Sequence, residues 1–493
     1  MYSPGTVIIS AGGEVTDIKK LVEPIIRQVD NTSILYIDLS SFPFSLGGSS
    51  FAQTQNKLGL TAPTIKDSAY FKKVFQTIQK MLDRNLILAG HDVSSGGLIT
   101  TLLEMVFSDN DTSLKIDITP FEENDEIKIF FSENPALLIQ VNNDDKAIDF
   151  LKNEGVHFKK IAQPVRSDII EIQTKSKSFK LDKSEYRDYW FETSYHFDCK
   201  QSGDNLAAER YQNYKTQEMI FTFPDSFNGK LSSYGIKSDR PQKTGIRAAI
   251  IREKGVNGDR EMAYSMYLAG MDVKDVHMTD LISGRETLED INFIVFVGGF
   301  SNSDVLGSAK GWAGAFLFNE KAQKSLDKFY ARKDTLSLGV CNGCQLMIEL
   351  GLINPEHEEK PKMLRNDSGK FESSFLNVTI PENNSVMLQS LAGSRMGIWV
   401  AHGEGKFDFP YEENKYHVAL KYSNKGYPGN PNGSAFNVAG ICSEDGRHLA
   451  MMPHLERAIF PWQWGYYPSD RNDEASPWLE AFVNAREWIK KHM

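Results

Sequence analysis

Cys341 stands between two glycines in the run Thr335 to Leu350, TLSLGVCNGCQLMIEL. Before it, Leu336, Leu338 and Val340 set an apolar strand pattern. After it, Leu346, Met347, Ile348 and Leu350 fall at helical spacing. A strand, a sharp turn and a helix with a nucleophile at the bend form a G-x-nucleophile-x-G elbow, here with cysteine in place of serine. Glycine at 339 and 343 removes the Cβ atoms that such a turn would drive into backbone. The elbow sets the sulfur at a helix N-terminus, where partial positive charge and free N–H groups favour thiolate over thiol. Three other readings compete with the nucleophile. Cys341 and Cys344 spell C-x-x-C, but a zinc site requires a second ligand pair, and Cys199 and Cys442 are isolated. A thioredoxin-like redox pair has this spacing, although Asn342-Gly343 suits a tight turn better than a first helical turn. The third is an ordinary buried thiol.

A thiol nucleophile requires a base and a place for the oxyanion. His454 and Glu456 lie two apart after the apolar strand His448 to Met452, so in an extended segment they point the same way. The carboxylate then orients the imidazole while the imidazole faces the thiol. His402, in the glycine-bounded turn Ala401 to Gly405, is the alternative base. The apolar strand Phe293 to Val297 ends in Gly298-Gly299-Phe300, at the carboxyl end where open α/β sheets place ligands. Backbone N–H groups of that turn and of Asn342 are placed to hold an oxyanion. Upstream, His91-Asp92-Val93-Ser94-Ser95-Gly96-Gly97 puts a carboxylate, two hydroxyls and two glycines before a helix. That set suits a phosphate with Mg²⁺, and it reads equally well as a helix cap and a turn. The glycine turn Ser45 to Ser50, before a helix Phe51 to Leu58, is likewise a phosphate cradle or a plain loop.

These residues require a scaffold of two α/β parts. Residues 1 to about 38 read as the end of something larger: a strand Thr6 to Ile9, a helix Val15 to Gln28 and a strand Ile34 to Ile37. With nothing before it, the first strand leaves an exposed sheet edge, and self-association or a complementing segment is expected there. An amphipathic helix Ala69 to Arg84 and a strand Leu86 to Ala89 lead to Asp92, and a helix with a wide apolar face follows from Leu98. Strand-like and helical pieces then alternate from 115 to 182, among them Ala136 to Val141 and Ala147 to Glu154. Residues 184 to 242 carry Tyr186, Tyr189, Trp190 and Phe191 and read as a packed connector, since a disordered linker would lack aromatics. A clean alternation begins at Gly245, with strands Arg247 to Ile251 and Val273 to Met278 around a helix Gly258 to Ala269.

The length of 493 residues predicts about three domains. A net charge of −10 argues against a nucleic-acid binder, which needs a basic face. Four cysteines without a pairing pattern suggest a reducing compartment. The N-terminus lacks a basic signal-like region, and no apolar run approaches a membrane span. The expectation is a cytoplasmic enzyme with no membrane partner.

At GVCNGCQ (339–345), GGFSNSDVLGSAKGWA (298–313), AHGEG (401–405), YPGNPNGS (427–434) and PHLER (453–457), the chain resembles the class I glutamine amidotransferases. More closely, together with LGGSS (46–50) and HDVSSGGL (91–98), it resembles the large single-chain phosphoribosylformylglycinamidine synthases. The resemblance implies residues 1–40 as the end of a PurM-like N-lobe and 41–183 as a PurM-like α/β C-terminal lobe. After a connector, 184–244, residues 245–493 would be a flavodoxin-like class I glutaminase domain with a mainly parallel central sheet. It implies that Cys341 forms a γ-glutamyl thioester from L-glutamine, with His454 as base and Glu456 as its orienter. Gly299, Phe300 and Asn342 would frame the oxyanion, and Gln345 would help hold glutamine. In the lobe, Asp92 would ligate Mg²⁺ and Ser94 a phosphate of ATP or ADP. The implied partners are FGAR and ATP, with the missing N-terminal portion or a second chain, and the implied product is FGAM. Three positions depart from the family pattern: Leu455 stands where proline is usual, Ser374 for arginine and Ser95 for aspartate. The other function class is a nucleotide- and partner-binding subunit whose triad is inert in isolation.

Overall fold

The computed structural model describes residues 9–142, 146–237, 239–240, 242–468 and 470–493. Thr6, Val7 and Ile8 of the expected first strand lie outside the described residues. The expected helix over 15–28 is absent apart from the single 3₁₀ turn Ile18–Lys20. Pro24 has no N–H to continue a helix. The segment instead runs against the first sheet, where the Gly90 N–H donates to the Glu23 carbonyl at 3.1 Å. The chain forms two compact units, one ending at Ser194 and one beginning at Tyr195. That division falls inside the helix Lys183–Ser202. Among the described residues no helix is long and apolar enough to cross a membrane.

The first unit is a seven-stranded sheet. Its strands are β1 (Thr32–Asp38), β2 (Ala89–Val93), β3 (Thr112–Asp117), β4 (Ala136–Asn142), β5 (Lys159–Arg166), β6 (Ile169–Gln173) and β7 (Ser178–Asp182). They lie in the order β2-β4-β1-β5-β3-β6-β7. Period-two alternation along β1 splits its side chains between two cores. Ile34 and Tyr36 pack with Leu102 and Met105 of the helix Gly97–Phe107. Leu35 and Ile37 pack with Val74, Ile78 and Met81 of the helix Ser68–Asp83. That second helix starts where the Asp67 carboxylate accepts the N–H groups of Ala69 and Tyr70.

The second unit is built on nine strands, β8 (Arg247–Arg252), β9 (Asp272–His277), β10 (Phe293–Phe296), β11 (Leu336–Val340), β13 (Glu372–Thr379), β14 (Arg395–His402), β16 (His417–Tyr422), β17 (Val438–Cys442) and β18 (His448–Met451). The short pair β12 (Lys362–Leu364) and β15 (Lys406–Asp408) forms a ribbon of its own. The block β9-β8-β10-β11-β18 is parallel throughout. From β18 the sheet continues antiparallel through β17, β16, β13 and β14. β10 is fully buried on both faces, as its unbroken apolar run requires. Two helices, Lys310–Leu317 and Glu320–Ala331, carry the chain from β10 over to β11. Their Trp312, Phe316 and Phe329 are buried in the same core as Phe293 and Phe296. The carboxyl ends of β10, β11 and β18 therefore lie side by side, the usual place for a site in a parallel sheet.

Candidate active site

Cys341 follows β11 directly and caps the helix Asn342–Glu349. Its backbone sits at φ 54°, ψ −109°, a strained conformation for a residue with a side chain. The turn is held because the Cys341 N–H donates to the Met451 carbonyl at the end of β18, at 3.0 Å. It can close because position 343 is glycine: a Cβ there would lie 1.9 Å from the Phe296 carbonyl oxygen. The sulfur is buried, and Sγ lies 3.4 Å from the Ala401 carbonyl oxygen.

His454 and Glu456 are both 1% exposed. His454 Nδ1 lies 2.7 Å from Glu456 Oε1. The geometry that joins them differs from the extended segment expected. His454 itself is extended and its N–H donates to the Trp399 carbonyl at 2.9 Å, but Leu455–Arg457 is a 3₁₀ turn that brings the carboxylate back to the ring. Leu455 is fully buried in the core, so packing and the Trp399 bond fix the approach to His454 without a proline. Burial drives the His454 imidazole toward its neutral form. The Glu456 carboxylate and then Cys341 outweigh it and push the pKa up to about 10. The ring therefore stays protonated beside the sulfur and an oriented carboxylate. Arg457, 3.8 Å from Glu456 Oε1, gives that buried carboxylate a cationic neighbour, and its Nη2 bonds Asn257 at 2.8 Å. Burial, and next the charge of Cys341, raises the Cys344 thiol well above its ordinary value, which keeps it protonated.

Cys341 opens on a cavity of about 190 Å³ lined by Gly299, Gln345, His402, Asp304, Glu404 and Lys370, among others. Phe300 lines it as well, but its N–H donates to the Gly255 carbonyl at 3.0 Å, so that N–H is spent within the fold. Gly299 lines the cavity with Cys341, and Asn342 opens the helix that follows Cys341. The Asn342 side chain is committed too, accepting from the Ser301 N–H at 3.2 Å and donating to Gln345 Oε1 at 2.8 Å. Gln345 donates in turn to the Glu404 carbonyl at 2.6 Å, so its amide forms the wall of the cavity. Sequence reading assigned no role to Asp304 or Glu404. Burial, with Glu404 nearby, raises the Asp304 carboxyl, and Glu404 Oε2 accepts the Ser308 N–H at 2.9 Å. Lys370 is drawn aside by the buried Asp198, at 3.0 Å, which also lies 3.4 Å from Arg210.

In the first unit the strand expected at Leu86 to Ala89 is instead Ala89–Val93, so Asp92 lies within β2 and not beyond a strand end, with its carboxylate 71% exposed. Ser94 and Ser95 are also exposed. The two glycine turns do meet, through a residue that sequence reading passed over. Glu133 Oε1 accepts the Ser50 N–H at 2.8 Å and the Gly96 N–H at 2.9 Å. The protein's own carboxylate thus occupies the helix-start donors that an anion would seek. Among the described residues no group of three or more His, Cys, Asp or Glu side chains is arranged as a metal site. The exposed Asp92 carboxylate presents one hard oxygen donor and Ser94 one hydroxyl.

Residues 245–489 match the CobB/CobQ-like glutamine amidotransferase domain family, and residues 40–175 match the C-terminal domain of AIR synthase related proteins. The chain is 38% identical to a probable phosphoribosylformylglycinamidine synthase of Arabidopsis thaliana, over 99% of this chain and 36% of that protein. It is 36% identical to phosphoribosylformylglycinamidine synthase of Homo sapiens, over 99% of this chain and 38% of that one. It therefore spans well under half the length of these curated relatives. Among solved structures, PurLQS from Thermotoga maritima is 26% identical and covers 50% of this chain and 98% of its own, with a TM-score of 0.39.

Proposed function

The chain belongs to the phosphoribosylformylglycinamidine synthase family, and from that premise we propose that its second unit is a glutaminase. It would supply ammonia for the ATP-dependent conversion of FGAR to FGAM in de novo purine biosynthesis. The observation that carries this reading is a buried thiol at a strained elbow, next to a buried imidazole bonded to a carboxylate. In this reading the Cys341 thiolate attacks the glutamine carboxamide carbon. The oxyanion is held by the N–H groups of Gly299 and Asn342. His454 gives its proton to the amide nitrogen, the C–N bond breaks, and ammonia leaves a γ-glutamyl thioester. Water then gives His454 a proton and adds as hydroxide to the thioester, expelling the thiolate and glutamate. Glu456 holds the imidazole in one tautomer through both steps.

The cavity is lined by Asp304, Glu404 and Arg365, with Arg365 Nε 4.0 Å from Glu404 Oε1, and these opposite charges suit the zwitterionic end of an amino acid. In the first unit, Asp92 would ligate Mg²⁺ and Ser94 a phosphate of ATP or ADP. The ion would neutralise phosphate charge there. Calorimetry with ADP and Mg²⁺ on the wild type and Asp92→Ala tests this, and equal affinity in both would reduce the turn to a helix cap.

The test of the glutaminase is glutamate release by the purified chain. Cys341→Ala is expected to abolish both release and labelling by a glutamine-like electrophile, whereas Cys344→Ser keeps most of both. Labelling at Cys344, or release surviving in Cys341→Ala, would refute the assignment. A wild-type chain that neither hydrolyses glutamine nor is labelled would leave nucleotide and partner binding as its role.

A further inference from the structure

His402 closes β14 and lines the same cavity as Cys341. It is 2% exposed, and neither ring nitrogen has a hydrogen-bond partner among the described residues. The backbone around it is fully engaged. Asn366 Nδ2 donates to the His402 carbonyl at 2.7 Å, the Asn366 N–H donates to the Gly403 carbonyl at 3.0 Å, and the Gly405 N–H donates to Asn366 Oδ1 at 3.0 Å. Asn432 Nδ2 holds the Gly405 carbonyl at 2.7 Å. The ring is seated over Gly405, where a Cβ would come within 2.6 Å of Nδ1. The fold thus buries this imidazole and gives its ring nitrogens no partner among the described residues. An unmet buried donor and acceptor are costly, so a ring built this way is arranged for something that enters the cavity.

The glutamine carboxamide has three parts to place. Its carbon meets Cys341, its oxygen meets the N–H groups of Gly299 and Asn342, and the amino-acid end meets the charged wall of Asp304, Glu404 and Arg365. The nitrogen remains, and His402 is the buried polar side chain lining the cavity with both of its ring nitrogens unsatisfied. We propose that His402 is a second, uncharged imidazole of the glutaminase site that hydrogen-bonds the departing carboxamide nitrogen and then the released ammonia. The inference rests on the glutaminase reading above. In the acylation step the S–C bond forms, the C–N bond breaks, and the proton on the leaving nitrogen comes from His454. A neutral imidazole has one acceptor nitrogen and one donor, and the acceptor takes an N–H of the leaving group. Burial, reinforced by the positive His454, lowers the His402 pKa to about 3. His402 therefore has no proton to give, and ammonia leaves it unprotonated and still nucleophilic.

The experiment compares two reactions of Cys341 in the full chain. One is hydrolysis of L-glutamine. The other is alkylation by a chloroketone analogue of glutamine, in which chloride departs and no nitrogen does. His402→Leu is expected to lower glutamine turnover about 10- to 100-fold, with alkylation kept within about threefold of wild type. His402→Asn, which keeps an uncharged donor and acceptor, is expected to stay within about tenfold of wild type in turnover. Should the leucine chain fail to fold, His402→Ala carries the same comparison. Unchanged turnover, or alkylation that falls in step with hydrolysis, would overturn the proposal, since the ring would then only shape the cavity. A wild-type chain inactive in both reactions would instead remove the glutaminase reading, and this inference with it.

Discussion

Gly298 lies where the diglycine turn passes behind the reacting groups, and a single methyl placed there tests how tightly the fold holds them. A Cβ at 298 would lie 2.7 Å from His454 Cε1 and 3.3 Å from Cys341 Cβ. Carbon atoms rest at about 3.5 Å or more, so the ring would have to yield by about 0.8 Å. It has little room to do so. Its Nδ1 is bonded to Glu456 at 2.7 Å, both side chains are buried, and the backbone is pinned to Trp399. Gly298 has no positive φ, so alanine meets no backbone objection and the damage is confined to the site. Displacing an acid–base group by nearly 1 Å costs on the order of 100-fold in rate, or about 2.7 kcal/mol of transition-state stabilisation. Gly298→Ala is therefore expected to lower kcat/KM for glutamine hydrolysis about 100-fold, with Tm within a few degrees of wild type. Steady-state glutamate release and thermal unfolding of the same preparation measure both. Turnover within about threefold of wild type in a folded protein would refute the claim that the site is this closely packed.

His454→Ala removes the proton carrier and is expected to lower glutamine turnover by about 10³-fold or more, while Glu456→Gln costs about 10- to 100-fold because the ring keeps its backbone anchor; equal and negligible losses in both would move the base elsewhere. Acid stability follows from His402 and His448, which burial holds uncharged with pKa values of about 3 and about 4. Each titrates near 6.5 once unfolded, so below about pH 6.5 the unfolded chain binds more protons and stability falls on acidification, with His402 alone worth at most ~5 kcal/mol by pH 3. A urea midpoint that does not move between about pH 7 and pH 5 would contradict this. His454 has the opposite sign: raised to about 10, its contribution is present below 6.5 and lost as pH rises through 10. Asp198→Ala leaves Lys370 and Arg210 facing each other without their shared carboxylate, an expected loss of about 1–3 kcal/mol given their partial exposure; an unchanged urea unfolding curve would show the network to be idle.

The elements around Cys341 are legible in the sequence because the signals are local. Glycines at 339 and 343, the apolar strand before them and the helical spacing after them all lie within sixteen residues, and β11 and its helix form where that pattern puts them. The same holds for β8 and β10, whose apolar runs mark them as buried strands. The helix expected over 15–28 shows the limit: its periodicity pointed to a helix, and Pro24 and the neighbouring sheet decided against it. What only the tertiary structure decides involves partners far apart in the chain. The N–H of Phe300 is spent on Gly255, and no pattern around either residue announces the bond. Glu133 sits 83 residues from the Ser50 N–H and 37 from the Gly96 N–H that it accepts, so two turns that each resemble an anion cradle share one internal carboxylate. His402 reaches the cavity of Cys341, 61 residues earlier in the chain, because the end of β14 lies over the elbow, with Cys341 Sγ against the Ala401 carbonyl. A sequence specifies backbone conformation through neighbours, whereas a buried polar atom is satisfied by whatever the packed core brings to it, and that is fixed only when the sheet has closed.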